Sequence, residues 1–365
     1  MSASFNRWWL LPFGILATSA LVALSIVVFE PSFINRSFAE VARQTPSGPV
    51  VDCSGASATD YACYQRRYQS LVQGSGVKAA FAELKDEYEK NEFVKTNCHQ
   101  LTHVIGRAAV DLYGDLSSTY SRGDNFCWSG YYHGAMEAVV AKIGPDKILE
   151  QADTICADLA EGQQKHSFYH YNCVHGLGHG FMGILDNDVF KSLETCDSMT
   201  DQWERESCYG GVFMENIMAK DNPSHPSKEL RPDEPLYPCT AVEDKYKEQC
   251  YMMQTSYALE VENYDFTKIF DLCGTVGEDF RTMCYQSLGR DASGNSVSDV
   301  DKTNATCMLG EDEEARSNCV IGAVKDFISF YHSDTQAREL CESFEADLRD
   351  LCLETADDYY KTFQA

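Results

Sequence analysis

Apolar positions along this chain follow two patterns. Trp8 to Phe29 is a run of 22 residues without a charge, long enough to cross a bilayer as a single helix. Beyond Cys53 the pattern becomes helical: Ile269, Phe270, Leu272 and Cys273 share a face, as do Ala337, Leu340, Cys341 and Phe344, and as do Cys319, Gly322 or Ala323, and Phe327. Val77 to Lys90, rich in Ala, Glu and Lys, predicts a further helix. Between the two patterns, Glu30 to Val51 carries Pro31, Pro46, Gly48 and Pro49 and reads as a tether. Asp221 to Pro238 holds five prolines and predicts a loop on one face, and Asp291 to Thr306 predicts a polar loop.

The helical pattern repeats. Cysteine pairs recur at 156/173, 196/208, 239/250, 273/284, 307/319 and 341/352, and successive second cysteines lie 35, 42, 34, 35 and 33 residues apart. The one long interval contains the Pro-rich insert. A period near 34 residues is one two-helix unit. The expected fold is therefore all-α: an α-solenoid of two-helix repeats, each stapled by a disulfide from the end of a first helix to the start of a second. In architecture this resembles the tetratricopeptide-type α-solenoids, although that family's Trp, Leu-Gly-Tyr and Ala/Phe/Pro positions are not in register here. The predicted divisions are a cytoplasmic tail at 1–7, a transmembrane anchor at 8–29, a linker at 30–52, a helical cap at 53–90, His-rich repeats at 91–188 and His-poor repeats at 189–365.

There are 16 cysteines, an even number that pairs completely if Cys53/Cys63 and Cys98/Cys127 join the six repeat pairs. Such a framework persists in an oxidising compartment, so the ectodomain is expected in a periplasm, extracellular space or secretory lumen. Arg7 before the apolar run favours a cytoplasmic amino terminus. No CxxC occurs, which argues against a zinc ribbon and against covalently attached c-type haem.

Formal net charge is −26. The first 36 residues contain only Arg7, Glu30 and Arg36, so the acidity belongs to the remainder of the chain. A surface of that sign repels phosphate backbones, and nucleic acid is not an expected partner. No P-loop, no GxSxG and no GxGxxG before a helix is present, so no nucleotide cofactor is expected.

Seven of the nine histidines lie between residues 99 and 179. They sit in degenerate copies of one segment. Counting from the cysteine, Gly130 and Gly176 fall at +3, and His133-Gly134 and His179-Gly180 at +6/+7; in the copy from Cys98, His103 falls at +5. The copy from Cys208 has Met214 at +6 and Glu215 at +7. Matched positions in stacked helices project onto one surface, so His103, His133 and His179 are expected to form a row. His99/His103 and His175/His179 are spaced i, i+4, which lets two imidazoles of one helix reach one ion.

The candidate metal ligands are therefore His99, His103, His133, His175 and His179, with zinc, copper or iron as candidate ions. Glu137, four residues after His133, is the candidate general base if the metal activates water. His166 and His170 should face away from this row, and His225 and His332 should lie on the surface. The function these residues favour is a membrane-anchored extracytoplasmic solenoid with a His-lined, transition-metal-binding pocket. The alternative is a non-enzymatic scaffold that binds a protein or peptide on its concave face, with the His-Gly motifs serving only helix packing.

Overall fold

A computed structural model describes residues 51–55, 59–159, 167–221, 226–296 and 299–364. The predicted anchor at 8–29, the linker up to residue 50, His166 and His225 lie outside the described residues. No helix among the described residues is long and apolar enough to cross a membrane.

The described chain is all-helical, with no strand. Nine long helices carry the fold: α1 (Tyr61–Ser75), α4 (Cys98–Tyr113), α6 (Gly130–Ile143), α8 (Phe168–Ile184), α10 (Gln202–Met218), α11 (Asp244–Val261), α13 (Glu278–Ser296), α15 (Glu313–Tyr331) and α17 (Ala346–Gln364). Eight shorter ones lie between them: α2 (Val77–Tyr88), α3 (Glu92–Thr96), α5 (Leu116–Tyr120), α7 (Pro145–Gln151), α9 (Val189–Cys196), α12 (Phe266–Gly274), α14 (Val300–Cys307) and α16 (Thr335–Glu342). Each long helix packs on the next in chain order, and the short helices bridge neighbouring long ones. α12 shows why: it buries Ile269, Phe270 and Cys273 and exposes Thr267, Lys268 and Asp271.

Seven aspartates begin helices. Asp60, Asp115, Asp188, Asp201, Asp265, Asp299 and Asp312 each accept a hydrogen bond from a backbone N–H in the first turn of the helix that follows. An N-cap carboxylate satisfies an otherwise orphaned donor and complements the helix dipole.

All eight expected disulfides are present, with Cα–Cα distances from 5.3 to 5.9 Å, and no cysteine is free. They indicate an oxidising, extracytoplasmic environment. In α10, α11, α13, α15 and α17 the second cysteine stands six residues after the helix start, so the long helices begin more than one turn earlier than the cysteine spacing suggests. The polar stretch 291–306, expected as a loop, is mostly helix. α13 runs on to Ser296 and α14 occupies Val300–Cys307. Asp291 is drawn inward there because Thr255 Oγ1, Ser256 Oγ and Arg290 Nη2 all donate to it, at 2.6, 2.7 and 2.9 Å.

The row of helices curls back on itself. Trp128, in the turn before α6, donates its indole N–H to Asp326 Oδ1 of α15 at 2.9 Å, and its ring meets Phe330 at 5.0 Å. Phe168 at the start of α8 packs on His332 at 5.4 Å. Residues separated by about 200 positions thus meet and cover the interior between them.

Candidate metal centre

The site is built where glycines let helix backbones touch. A Cβ on Gly106 would lie 1.9 Å from Tyr131 O, and one on Gly134 2.1 Å from His103 O. These two glycines lock α4 against α6. Gly178 and Gly211 do the same for α8 and α10, with Cβ positions 2.2 Å from Cys208 O and 1.9 Å from His175 O. Only glycine fits at such contacts. The backbones come close enough for side chains of α4, α6 and α8 to converge.

All five candidate histidines do converge. Ring centroids are 4.7 Å apart for His99/His103, 5.5 Å for His103/His133, 5.1 Å for His133/His179, 4.7 Å for His133/His175 and 5.2 Å for His103/His179. Three sets of side chains each bring ligand atoms within 4.8 Å of one another: His99/His103/His133, His133/His175/His179 and His103/Glu137/His179. His103, His133, His175 and His179 expose no more than 3% of their surface. The site is therefore a buried cluster, not an open pocket. A surface cleft of about 550 Å³, lined by Gln286, Lys325, Glu354 and Tyr359 among others, includes none of these histidines.

Each ring uses one nitrogen on an outer partner. His99 Nδ1 meets Cys127 O at 2.8 Å. His103 Nδ1 meets Glu137 Oε1 at 2.6 Å. His133 Nε2 meets Asn172 Oδ1 at 3.0 Å, and the Asn172 amide nitrogen donates to Phe168 O, so the Asn172 oxygen is the acceptor. His179 Nδ1 meets Glu215 Oε2 at 2.8 Å. The His175 ring is hydrogen-bonded to the backbone of Ser207, and its Nδ1 lies 3.4 Å from the Tyr171 hydroxyl. With the Cys127 carbonyl, the ionised Glu137 carboxylate and the Asn172 amide oxygen as acceptors, His99, His103 and His133 carry their protons outward and turn lone pairs inward. Metal-binding imidazoles are held in this way.

The inward nitrogens have no answering donor. Nδ1 of His133 and Nε2 of His175 and His179 are buried without a hydrogen-bond partner. Burial, followed by the charges of neighbouring imidazoles, holds His133 and His179 well below the usual histidine range. Burial and the His103 charge push His175 down to about 3, and the same two causes bring His99 to about 3. These rings are neutral at physiological pH, the form that binds metal.

The surrounding acids are equally confined. Burial raises the Glu137 carboxyl, but the charges of His103 and Arg107 outweigh it and hold the group well below the usual carboxylate range. Arg107 donates to Glu137 Oε2. Burial and the Glu137 charge push Glu215 well above its ordinary value. Arg107 thus pairs with Glu137, while Glu215 faces His179.

Arg107, Asn172, Glu215 and the carbonyl of Cys127 belong to the site without having been candidates in the sequence. Only Glu215 carried a signal, its +7 position after Cys208. Cys127, Trp128 and Ser129 all have positive φ, at 56°, 53° and 61°, and this left-handed turn aims the Cys127 carbonyl at His99. His170 faces Glu204 at 2.9 Å and stands outside the cluster, as expected. His332, expected on the surface, is instead half-buried beneath Phe168, and burial lowers its pKa. Met136 and Met182 are core residues, with Met136 lying against Gly176. No protein-family model, no curated protein and no solved structure matches this chain.

Proposed function

We propose that this protein is an exported, membrane-anchored binder of a transition-metal ion. The observation that carries the reading is the trio of partnerless buried nitrogens on His133, His175 and His179. A buried water is a poor occupant, because it donates only two hydrogen bonds and leaves the third nitrogen unmatched. A cation answers all three lone pairs at once.

Three neutral imidazoles suit zinc, copper or iron and leave an open coordination position. Thiolate ligation is ruled out by the eight disulfides. Both oxygens of Glu137 are engaged, by His103 and by Arg107, and a carboxylate held so low is a weak base. Its role here is to orient His103, not to activate water. The uncharged run 8–29 would hold the protein at the membrane.

The test is elemental analysis of the purified full-length protein, before and after metal reloading. The wild type should carry metal in stoichiometric amount. His133→Ala should lose at least one equivalent while its helical circular dichroism is unchanged. A wild type that neither retains nor takes up metal would leave helix packing as the whole account of the His-Gly motifs, and the scaffold reading would prevail. Carbonate washing tests the anchor: release of the protein into the supernatant would overturn it.

A further inference from the structure

We infer that the centre is built for two ions, the first held by His133, His175 and His179 and the second by His99 and His103. This rests on the metal-binding reading above and goes beyond it in stoichiometry and in ligand assignment. Five imidazole nitrogens are left over from the outer partners, whereas a tetrahedral ion with an open position takes three from the protein. The five ligand atoms do not fall into one set; the two all-histidine sets, His99/His103/His133 and His133/His175/His179, share only His133.

His133 serves one ion. Its Nε2 hydrogen is committed to Asn172 Oδ1 at 3.0 Å, leaving Nδ1 as its one donor atom. Nδ1 is partnerless, like the inward nitrogens of His175 and His179, and belongs with them. His99 and His103 remain. Their Nε2 atoms stand 3.0 Å apart, while the Nδ1 atoms of both rings engage the oxygens of Cys127 and Glu137. Two lone pairs at that distance repel unless a proton or a cation lies between them. Two nitrogens bound to one ion at about 2.1 Å lie about 3.0 Å apart at the right angle of a tetragonal Cu²⁺ and about 3.4 Å apart at the tetrahedral angle of Zn²⁺, a small widening from the observed distance. Glu137, pinned by Arg107, supplies the carboxylate–histidine support typical of a ligating ring. With only two protein nitrogens, the second ion keeps positions for water or a small exogenous ligand. A borderline divalent ion such as Zn²⁺ or Cu²⁺ fits this all-nitrogen donor set.

The experiment uses the full-length protein, stripped with a strong chelator, reloaded with Zn²⁺ and passed through a weak chelator to clear the acidic surface. Two equivalents are expected for the wild type and one for the variant with both His99→Gln and His103→Gln. One equivalent in the wild type, or the same content in the variant, overturns the inference and assigns a shared proton to the His99–His103 contact. No bound zinc at all overturns the metal-binding reading together with this one. Should the variant fail to fold, Cu²⁺-loaded wild type decides the matter by electron paramagnetic resonance. A coupled pair shows less signal than its copper content, whereas isolated signals accounting for all the copper overturn the inference.

Discussion

Substituting Gly211 by alanine separates the contribution of helix approach from that of the histidines. A Cβ at residue 211 would stand 1.9 Å from His175 O, against 3.4–4 Å for ordinary contact. α8 and α10 must therefore move apart locally by about 1.5 Å, because a backbone carbonyl cannot rotate away as a side chain can. Overpacking of this kind costs about 1–3 kcal/mol, with a backbone clash at the upper end. Alanine returns about 1 kcal/mol of helix propensity, so the net loss should be about 2 kcal/mol, read as a fall in Tm. The displaced carbonyl belongs to His175, and metal sites tolerate only about 0.2 Å of error in ligand distance. Zinc affinity should therefore fall at least tenfold, measured by competition with a chelating dye. Gly322→Ala is the control for strain: its Cβ would lie 1.8 Å from Gln286 O, far from the histidines, and it should cost similar stability with unchanged zinc affinity. Gly183→Ala is the control for propensity. Nothing lies within 4 Å of its Cβ position, and it should stabilise by up to about 1 kcal/mol. The reasoning fails if Gly211→Ala is no less stable than Gly183→Ala, or if Gly322→Ala loses zinc to the same degree.

Three further outcomes follow from the same geometry. In metal-free protein, His99 and His175 stay neutral down to about pH 3 when folded but take up protons below about 6.5 when unfolded. Stability should be flat above pH 6.5 and fall as pH drops towards 3, by about 1.4 kcal/mol per pH unit for each histidine; chemical denaturation across pH 4–8 with no slope would refute it. Replacing Cys273 and Cys284 by serine opens a loop of sequence separation 11 and should cost about 3 kcal/mol in the chain-entropy model, seen as a lower Tm in calorimetry. Trp128→Phe removes the donor to Asp326, whose carboxyl burial already pushes up to about 6. It should cost about 1–3 kcal/mol and speed hydrogen exchange at both 126–132 and 326–332, whereas exchange changed at only one segment would show that the contact does not close the fold.

The sequence carried the helical class and the six later disulfides, because both are written as recurring spacings, while Cys53–Cys63 and Cys98–Cys127 followed from the even number of cysteines. It also carried all five histidines of the cluster, because matched repeat positions must project to one place when helices stack. What it did not carry depended on partners distant in the chain. Arg107 and Asn172 carry no periodic signal; their roles arise from facing Glu137 and His133 across a helix crossing. The inward turn of Asp291 needed Thr255 and Ser256 from α11, so a stretch of polar residues resembled a loop. His332 appeared isolated because its neighbour Phe168 is 164 positions away. The glycines were legible as packing or as site elements, and the structure shows them to be both: the contacts that exclude a Cβ are the contacts that gather the imidazoles.

The position five to seven residues after the cysteine that each long helix carries or follows distinguishes the two halves of the molecule. It carries His103, His133, His179 and Glu215, then Thr255 and Ser256, then Asp291 and Asp326. The loss of histidine in the later copies is therefore a replacement of one interior polar group by another. Around Asp291 the replacement is self-sufficient, since Arg290 pairs with the carboxylate at 2.9 Å and two hydroxyls complete its hydrogen bonds. Asp326 at the closure receives the Trp128 N–H. The early copies lack that balance. Arg107 pairs with Glu137, and the inward nitrogens of His133, His175 and His179 have no hydrogen-bond partner. A buried region with unpartnered imidazole nitrogens is costly unless a cation enters. The same sequence position thus supplies a hydrogen-bonded carboxylate at Asp291 in the carboxy-terminal half and a buried cluster of imidazoles in the amino-terminal half, and the latter is where a metal ion would complete the hydrogen-bonding balance.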